Sequence, residues 1–246
     1  MTCKNCGHSV DGKFCGQCGQ HSTVGRINFP SFIKEISESV FQINRGFFFT
    51  LTELFVRPGN SIREFLDGKR KRHFKPIAYV LTWSTVYFVA TQITDQNTWV
   101  DDVITGWMNG ATGQRSAAEI PRIVTWFSKN YAYATLLLLP VFSLASYLSF
   151  LKFGRNYLEH IVLNSYITGQ QAIFYALFAI AGTVIESDAI GALPFLVAVF
   201  YTFWVFWQFF PEGNRVMIIL RSAMTYALYL VFSTVLLAGL MGISGG

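Results

Sequence analysis

Four cysteines stand within the first eighteen residues as two hooks, Cys3-Lys4-Asn5-Cys6-Gly7 and Cys15-Gly16-Gln17-Cys18-Gly19, and none follows. Two Cys-x2-Cys pairs can place four thiolates tetrahedrally about one zinc ion at about 2.3 Å, and four sulfurs leave no open position for water or substrate. The chemistry is therefore structural metal binding, with one zinc ion expected. Iron is the second metal that a four-sulfur set accepts. A disulfide pair fits poorly with a reducing cytoplasm, and a thioredoxin-type dithiol would need βαβ surroundings. Gly7 and Gly19 follow the hooks where the chain must turn tightly, and a residue without Cβ tolerates positive φ there. So short a segment cannot bury a core, so metal binding supplies most of its folding free energy. His8 and His21 read as loop histidines beside a complete donor set.

Two further groups carry chemistry. Lys69, Arg70, Lys71, Arg72 and Lys75 form the densest charge run of the chain. Their first role is topogenic, holding the start of the following span on the cytoplasmic side. Their second is contact with lipid headgroups or phosphate, since an anionic leaflet contributes about 1 kcal/mol per basic residue. Arg155, Asn156, Glu159 and His160, with Asn164, Gln170 and Gln171, form a polar run into an apolar segment, and such groups in a membrane mark function. They read first as a solvated helix start and, alternatively, as the lining of a polar cleft facing the cytoplasm. Asp101 and Asp102 have no metal-ligand companions at useful spacing. Gly-rich phosphate loops, His-Glu-x2-His and Gly-x-Ser-x-Gly are absent, and the four histidines are dispersed, so the motifs of the common enzyme classes are missing.

The elements that must position these groups are set by composition. Hydrophobic residues make up 52% of the 246 residues and charged ones 13%, too few polar groups to coat a soluble globule. Uncharged windows run over 76–94, 130–151, 161–185, 189–211 and 222–246. Each reaches the roughly 18 to 20 residues that a helix needs to cross about 30 Å of hydrocarbon. Helices satisfy their own backbone groups in lipid, and the windows are apolar at both parities, unlike barrel strands. The expected fold is an all-α polytopic membrane protein, a bundle of about five transmembrane helices with its N-terminus inside and its C-terminus outside. That orientation puts 16 Lys and Arg inside and 3 outside (Arg115, Arg122, Lys129), as the positive-inside rule requires. The formal net charge of +5 then reads as topology and lipid affinity, with no nucleic acid expected. The first thirty residues hold no apolar stretch, so the first span is expected to serve as the insertion signal.

Three regions follow: a cytoplasmic four-cysteine knuckle over 1–22, an amphipathic and interfacial helical segment over 23–75, and a transmembrane bundle over 76–246. The spans are expected near 76–94, 130–151, 164–185, 189–210 and 217–240, with an outer loop over 95–129. Phe29, Phe32, Ile33, Ile36, Val40 and Ile43 recur at helical spacing, a stripe suited to a membrane surface or the bundle. Residues 46–56 are apolar but too short to span, which predicts an interfacial or re-entrant helix ended by Arg57-Pro58-Gly59. Ser61 stands three residues before Glu64, a capping-box spacing, and Gly68 follows as a stop. Ala172, Ala176, Ala179 and Thr183 form a small-residue stripe that lets helices approach closely. Phe200, Tyr201, Phe203, Trp204, Phe206, Trp207, Phe209 and Phe210 read mostly as an aromatic belt. Pro140 and Pro194 interrupt spans, which membranes tolerate. Trp99, Val103, Ile104 and Trp107 suggest a surface helix in the outer loop.

The paired Cys-x2-Cys-Gly hooks with Gly12-Lys13-Phe14-Cys15, then Arg57-Pro58-Gly59, Ser61 to Leu66, Asp67-Gly68-Lys69-Arg70 and Pro76, resemble an uncharacterised bacterial family of zinc-ribbon multi-pass membrane proteins (domain of unknown function 3667). The resemblance covers about the first third of the chain. It implies a bacterial cytoplasmic-membrane protein and carries no activity. A closed metal site beside an interfacial segment is expected to serve interaction or assembly, the knuckle docking a cytoplasmic protein partner while lipids surround the bundle. Small-solute or lipid transport is the alternative, and a membrane enzyme the third reading.

Overall fold

Proline and short polar side chains decide where the helices begin. The computed structural model describes residues 1–37, 46–98, 130–184 and 189–244, together with Gly106 and Trp126. Among them run α1 (Phe29–Ser37), α2 (Gly46–Val56), α3 (Pro58–Leu66), α4 (Pro76–Thr94), α5 (Tyr131–Ser149), α6 (Tyr157–Gly182), α7 (Ala189–Phe209) and α8 (Arg215–Ser244). Pro58 and Pro76 occupy the first positions of α3 and α4, where the missing N–H costs nothing. Asn156 opens α6 with a complete capping box, its side chain accepting from the Glu159 N–H while the Glu159 carboxylate accepts from the Asn156 N–H.

The long α6 is the axis of the molecule and packs against α4, α5 and α7, with α3 reaching it at Tyr166 and α2 at Phe174. Close approach of α4 rests on Gly169: a Cβ there would lie 2.5 Å from Tyr79 Cδ1 and 3.3 Å from Val80 Cα. The expected small-residue stripe continues the contact, because Ala172, Ala176 and Ala179 are buried against Tyr87, Ala90, Tyr131 and Ala134. Thr183 is exposed and does not extend it. The larger core gathers Phe65, Tyr79, Tyr166, Phe150, Phe206 and Ile218 from six different segments.

Among the described residues, two helices are long and apolar enough to cross a membrane by length and composition: Tyr131–Ser149, and Arg215–Gly239 within α8. The helices α4, α6 and α7 overlap the windows at 76–94, 161–185 and 189–211, and hydroxyl and amide side chains on α4 and α6 dilute their hydropathy. Where a span was expected from 164, the helix α6 itself begins earlier, at Tyr157, because Asn156 supplies the cap.

Other expectations are corrected. The Ser61/Glu64 capping box does not form: α3 starts at Pro58 with Arg57 at its N-cap and no side-chain capping bond, and buried Ser61 Oγ lies 3.0 Å from His73 Nε2. Gly68 does end the helix, with φ of 118°. The aromatic run of α7 is divided, since Tyr201, Phe206, Phe209 and Phe210 are core while Phe200, Trp204 and Trp207 are exposed. The proposed outer-loop helix and Asp101 and Asp102 lie outside the described residues, as do Val40 and Ile43 of the α1 stripe. Of that stripe, Phe32 is buried and Phe29 and Ile33 are exposed.

Candidate metal centre and its seat on the helices

The two hooks fold as near copies. In each, the glycine after the second cysteine donates back to the first cysteine's carbonyl, Gly7 N to Cys3 O at 2.9 Å and Gly19 N to Cys15 O at 2.8 Å. Both glycines adopt positive φ, 76° and 71°, a region that an L side chain enters only at a cost. Single β-bridges, Thr2 with Ser9 and Phe14 with His21, close the two arms.

This folding brings the four sulfurs together, all within 4.8 Å of one another. Cys3 and Cys18 Sγ lie 3.6 Å apart and Cys6 and Cys15 Sγ 3.5 Å apart. Those spacings fit a metal at the centre, since sulfurs at tetrahedral positions about 2.3 Å from zinc stand about 3.8 Å apart. The backbone N–H of Cys6 lowers the Cys3 thiol, and that of Cys18 brings Cys15 down to about 6. Cys6 has the His8 N–H in its favour, but burial and the three neighbouring thiols push it up to about 12. A cation that displaces the proton relieves this crowding, because a coordinated thiol is a thiolate. With Val10, the buried Cys3 and Cys15 make a core of three residues, too small to hold the fold by itself.

The knuckle is seated on the helices at two places. Gln20 is buried, and its amide reaches across to the turn after α3: Nε2 donates to Gly68 O at 2.9 Å, while Oε1 accepts from Arg70 N and Lys71 N, both at 3.1 Å. Lys4 packs over Gly68, where a Cβ would fall 2.7 Å from Lys4 Cδ, and its Nζ donates to Val24 O. The second place is the N-terminus of α6. Arg26 holds Glu159 through two hydrogen bonds, Nε to Oε1 at 2.9 Å and NH2 to Oε2 at 2.8 Å. Asn156 Nδ2 donates to Ile27 O, and the Ile27 side chain enters the main core. Arg155 bridges the two places, with NH2 3.2 Å from Asp67 Oδ1 and its guanidinium over Phe209.

The basic run is partly spent on this seat. Arg70 donates to Gly25 O and lies over Phe65. Lys69 pairs with Glu64 at 3.3 Å, and the Arg72 guanidinium sits 4.7 Å from the Phe49 ring centre. Lys69, Lys71 and Arg72 stay exposed, and Lys75 is half-buried.

The polar run does not form one cleft. Arg155, Asn156 and Glu159 belong to the seat. His160 is fully buried, with Nδ1 3.0 Å from Ser146 Oγ, and Asn164 Nδ2 donates to the same hydroxyl at 2.7 Å. A serine beside a histidine has the spacing of a nucleophile and its base, yet neither has solvent access, so the pair acts as a polar tie between α5 and α6. Gln170 accepts from Tyr79 OH at 2.6 Å, and Gln171 ties α6 to α7 through Ala198 O and Thr202 Oγ1. Gln20, Arg26 and Ile27 were not legible as site residues, since their partners lie 48 to 133 positions away.

Residues 44–88 match the model of a family described as a protein of unknown function (DUF3667). That stretch contains α3 and the following turn, the surface on which Gln20 sits. No curated protein and no solved structure matches the chain.

Proposed function

We propose that the chain is a bacterial cytoplasmic-membrane protein of about five crossings, N-terminus inside, whose zinc knuckle is an assembly module that docks a cytoplasmic protein. The observation that carries this reading is a knuckle seated on the helices that still exposes large apolar side chains. Gln20 fixes the knuckle, and Arg26 the linker that follows it, to the helices, while Phe14 stays 63% and Met1 71% exposed. A large apolar ring held on a rigid, metal-stapled loop is a pre-organised anchor, which lowers the ordering cost of binding.

Several features support the membrane part. At about 1.5 Å per residue, helices of 19 residues such as α4 and α5 measure about 28 Å, close to the hydrocarbon thickness. Exposed Lys69, Lys71 and Arg72 would meet anionic headgroups at the inner face, and exposed Phe29, Ile33 and Phe48 would enter the same interface. Zinc is the preferred metal because four thiolates closed to water form its usual structural site.

The test is co-purification from membranes. Wild-type chain should bring down a cytoplasmic protein that is lost with Phe14→Glu, which leaves metal and seat intact, and with the double variant Cys3→Ser/Cys15→Ser. Retention of the same proteins by both variants would remove the docking role.

A further inference from the structure

One side of α7 carries a regular exposed stripe. Leu193, Leu196, Phe200, Trp204 and Trp207 are all exposed, and their spacing of three and four residues puts them on one helical face. The leucines stand toward the start of the helix and both tryptophans toward its end. With the N-terminus of the chain inside, that end meets the cytoplasmic interface, the level at which indole rings settle. The stretch from Leu196 to Trp207 measures about 16 Å at about 1.5 Å per residue, which matches one leaflet's half of about 30 Å of hydrocarbon.

A fixed cation closes the stripe at this end. Arg215, at the start of α8, donates from NH1 to Trp207 O at 2.7 Å, a carbonyl in the last turn of α7, where helical partners run out. Its guanidinium also lies over the Trp207 ring, 4.9 Å from the centre. The two contacts orient the planar fork, and the carbonyl uses one of its five N–H donors. Arg215 is exposed, and no carboxylate pairs with it among the described residues; Glu212, three positions earlier, is exposed and forms no ion pair with it. The indole N–H groups of Trp204 and Trp207 also have no acceptor among the described residues. A guanidinium held in this way can give a phosphate two parallel N–H bonds. A zwitterionic headgroup brings its phosphate with a cation of its own, whereas an anionic phosphodiester brings net negative charge to an unpaired arginine.

We propose that Arg215 and the exposed face of α7 hold one anionic phospholipid of the inner leaflet, its phosphate on the guanidinium beside the two indoles and an acyl chain along Phe200 and Leu196. The site is separate from the basic run at 69–75 and independent of the docking role of the knuckle. It rests on the membrane reading.

The experiment uses the tryptophans as reporters. The full chain is reconstituted in dioleoylphosphatidylcholine vesicles with a minor fraction of lipid carrying brominated acyl chains, either phosphatidylglycerol or phosphatidylcholine, and bromine quenches the indoles that its chain touches. Brominated phosphatidylglycerol should show a relative affinity about fivefold above that of phosphatidylcholine, the factor that one basic residue contributes at an anionic surface. Arg215→Gln keeps a donor for Trp207 O and removes the charge, so the preference should fall below about twofold. Lys13→Gln takes the same charge from the knuckle and should keep the full preference. Trp204→Phe/Trp207→Phe should lose the excess quenching, which locates it on this stripe. Equal quenching by the two lipids in wild type overturns the proposal, and so does an undiminished preference in Arg215→Gln. A preference removed by inorganic phosphate also overturns it, since the site would then serve a free anion. Quenching by neither lipid would sink the membrane reading itself, whereas equal quenching by both removes this site and leaves that reading standing.

Discussion

Replacing Gln20 by leucine tests whether the knuckle is a seated part of the molecule or a bead on a tether. The substitution keeps the side chain's bulk and removes three hydrogen bonds, those to Gly68 O, Arg70 N and Lys71 N. A hydrogen bond contributes about 1 kcal/mol net, so the seat loses about 3 kcal/mol, equivalent to roughly 150-fold in the opening equilibrium. The loss stays near that figure because the turn groups reach water once the knuckle lifts, which spares them the full cost of burial without a partner. The assay is hydrogen exchange at the Arg70 and Lys71 amides, whose hydrogen bonds go to Gln20. Exchange there should accelerate about a hundredfold while one metal ion per chain is retained, because the donor set is untouched. Exchange within about threefold of wild type, with metal bound, would refute the seating argument.

Other outcomes follow from the same geometry. Arg26→Ala should free the linker at Thr23–Ile27 and speed its proteolysis, at a cost of about 1–2 kcal/mol: Arg26 is 56% exposed, and the Asn156 N–H still serves Glu159. Burial raises the Glu159 carboxyl, but Arg26, the Asn156 N–H and Arg155 pull it further down, so it titrates below the ordinary range. Its stabilising contribution is thus complete above about pH 4.3 and lost as pH falls through the lower folded value. Wild type and Glu159→Gln should differ in linker protection at pH 7 and converge in acid; a difference that persists at pH 2 would sink this account. Gly59→Ala should lower the melting temperature, since its Cβ would fall 2.4 Å from Val205 O and 2.5 Å from Phe209 N, both backbone atoms that cannot yield without parting α3 from α7. Gly16→Ala, which meets nothing within 4 Å, is the matched control and should melt as wild type. Chelation of the metal should unfold 1–22 and expose Cys3 and Cys15 to thiol reagents while α4–α8 keep their helical circular dichroism; a parallel loss of helicity would show that the bundle depends on the knuckle.

The sequence determined the features whose cause is local. Two cysteine hooks followed by glycine specify their own turns, so the sulfurs converge wherever the rest of the chain goes. The uncharged windows set where long helices form, since a chain with few charges to solvate satisfies its backbone groups along a helix. Tertiary structure decided what joins these parts. Gln20 and Arg26 stand in no periodic pattern, and their meaning appears only when the turn after α3 and the N-terminus of α6 arrive from far along the chain. The same distance explains the misread polar run. Glu159, His160 and Gln170 look like a wet helix start in one dimension, yet each is buried against a partner on another segment, because the central position of α6 leaves no solvent side at that level for a polar group to face.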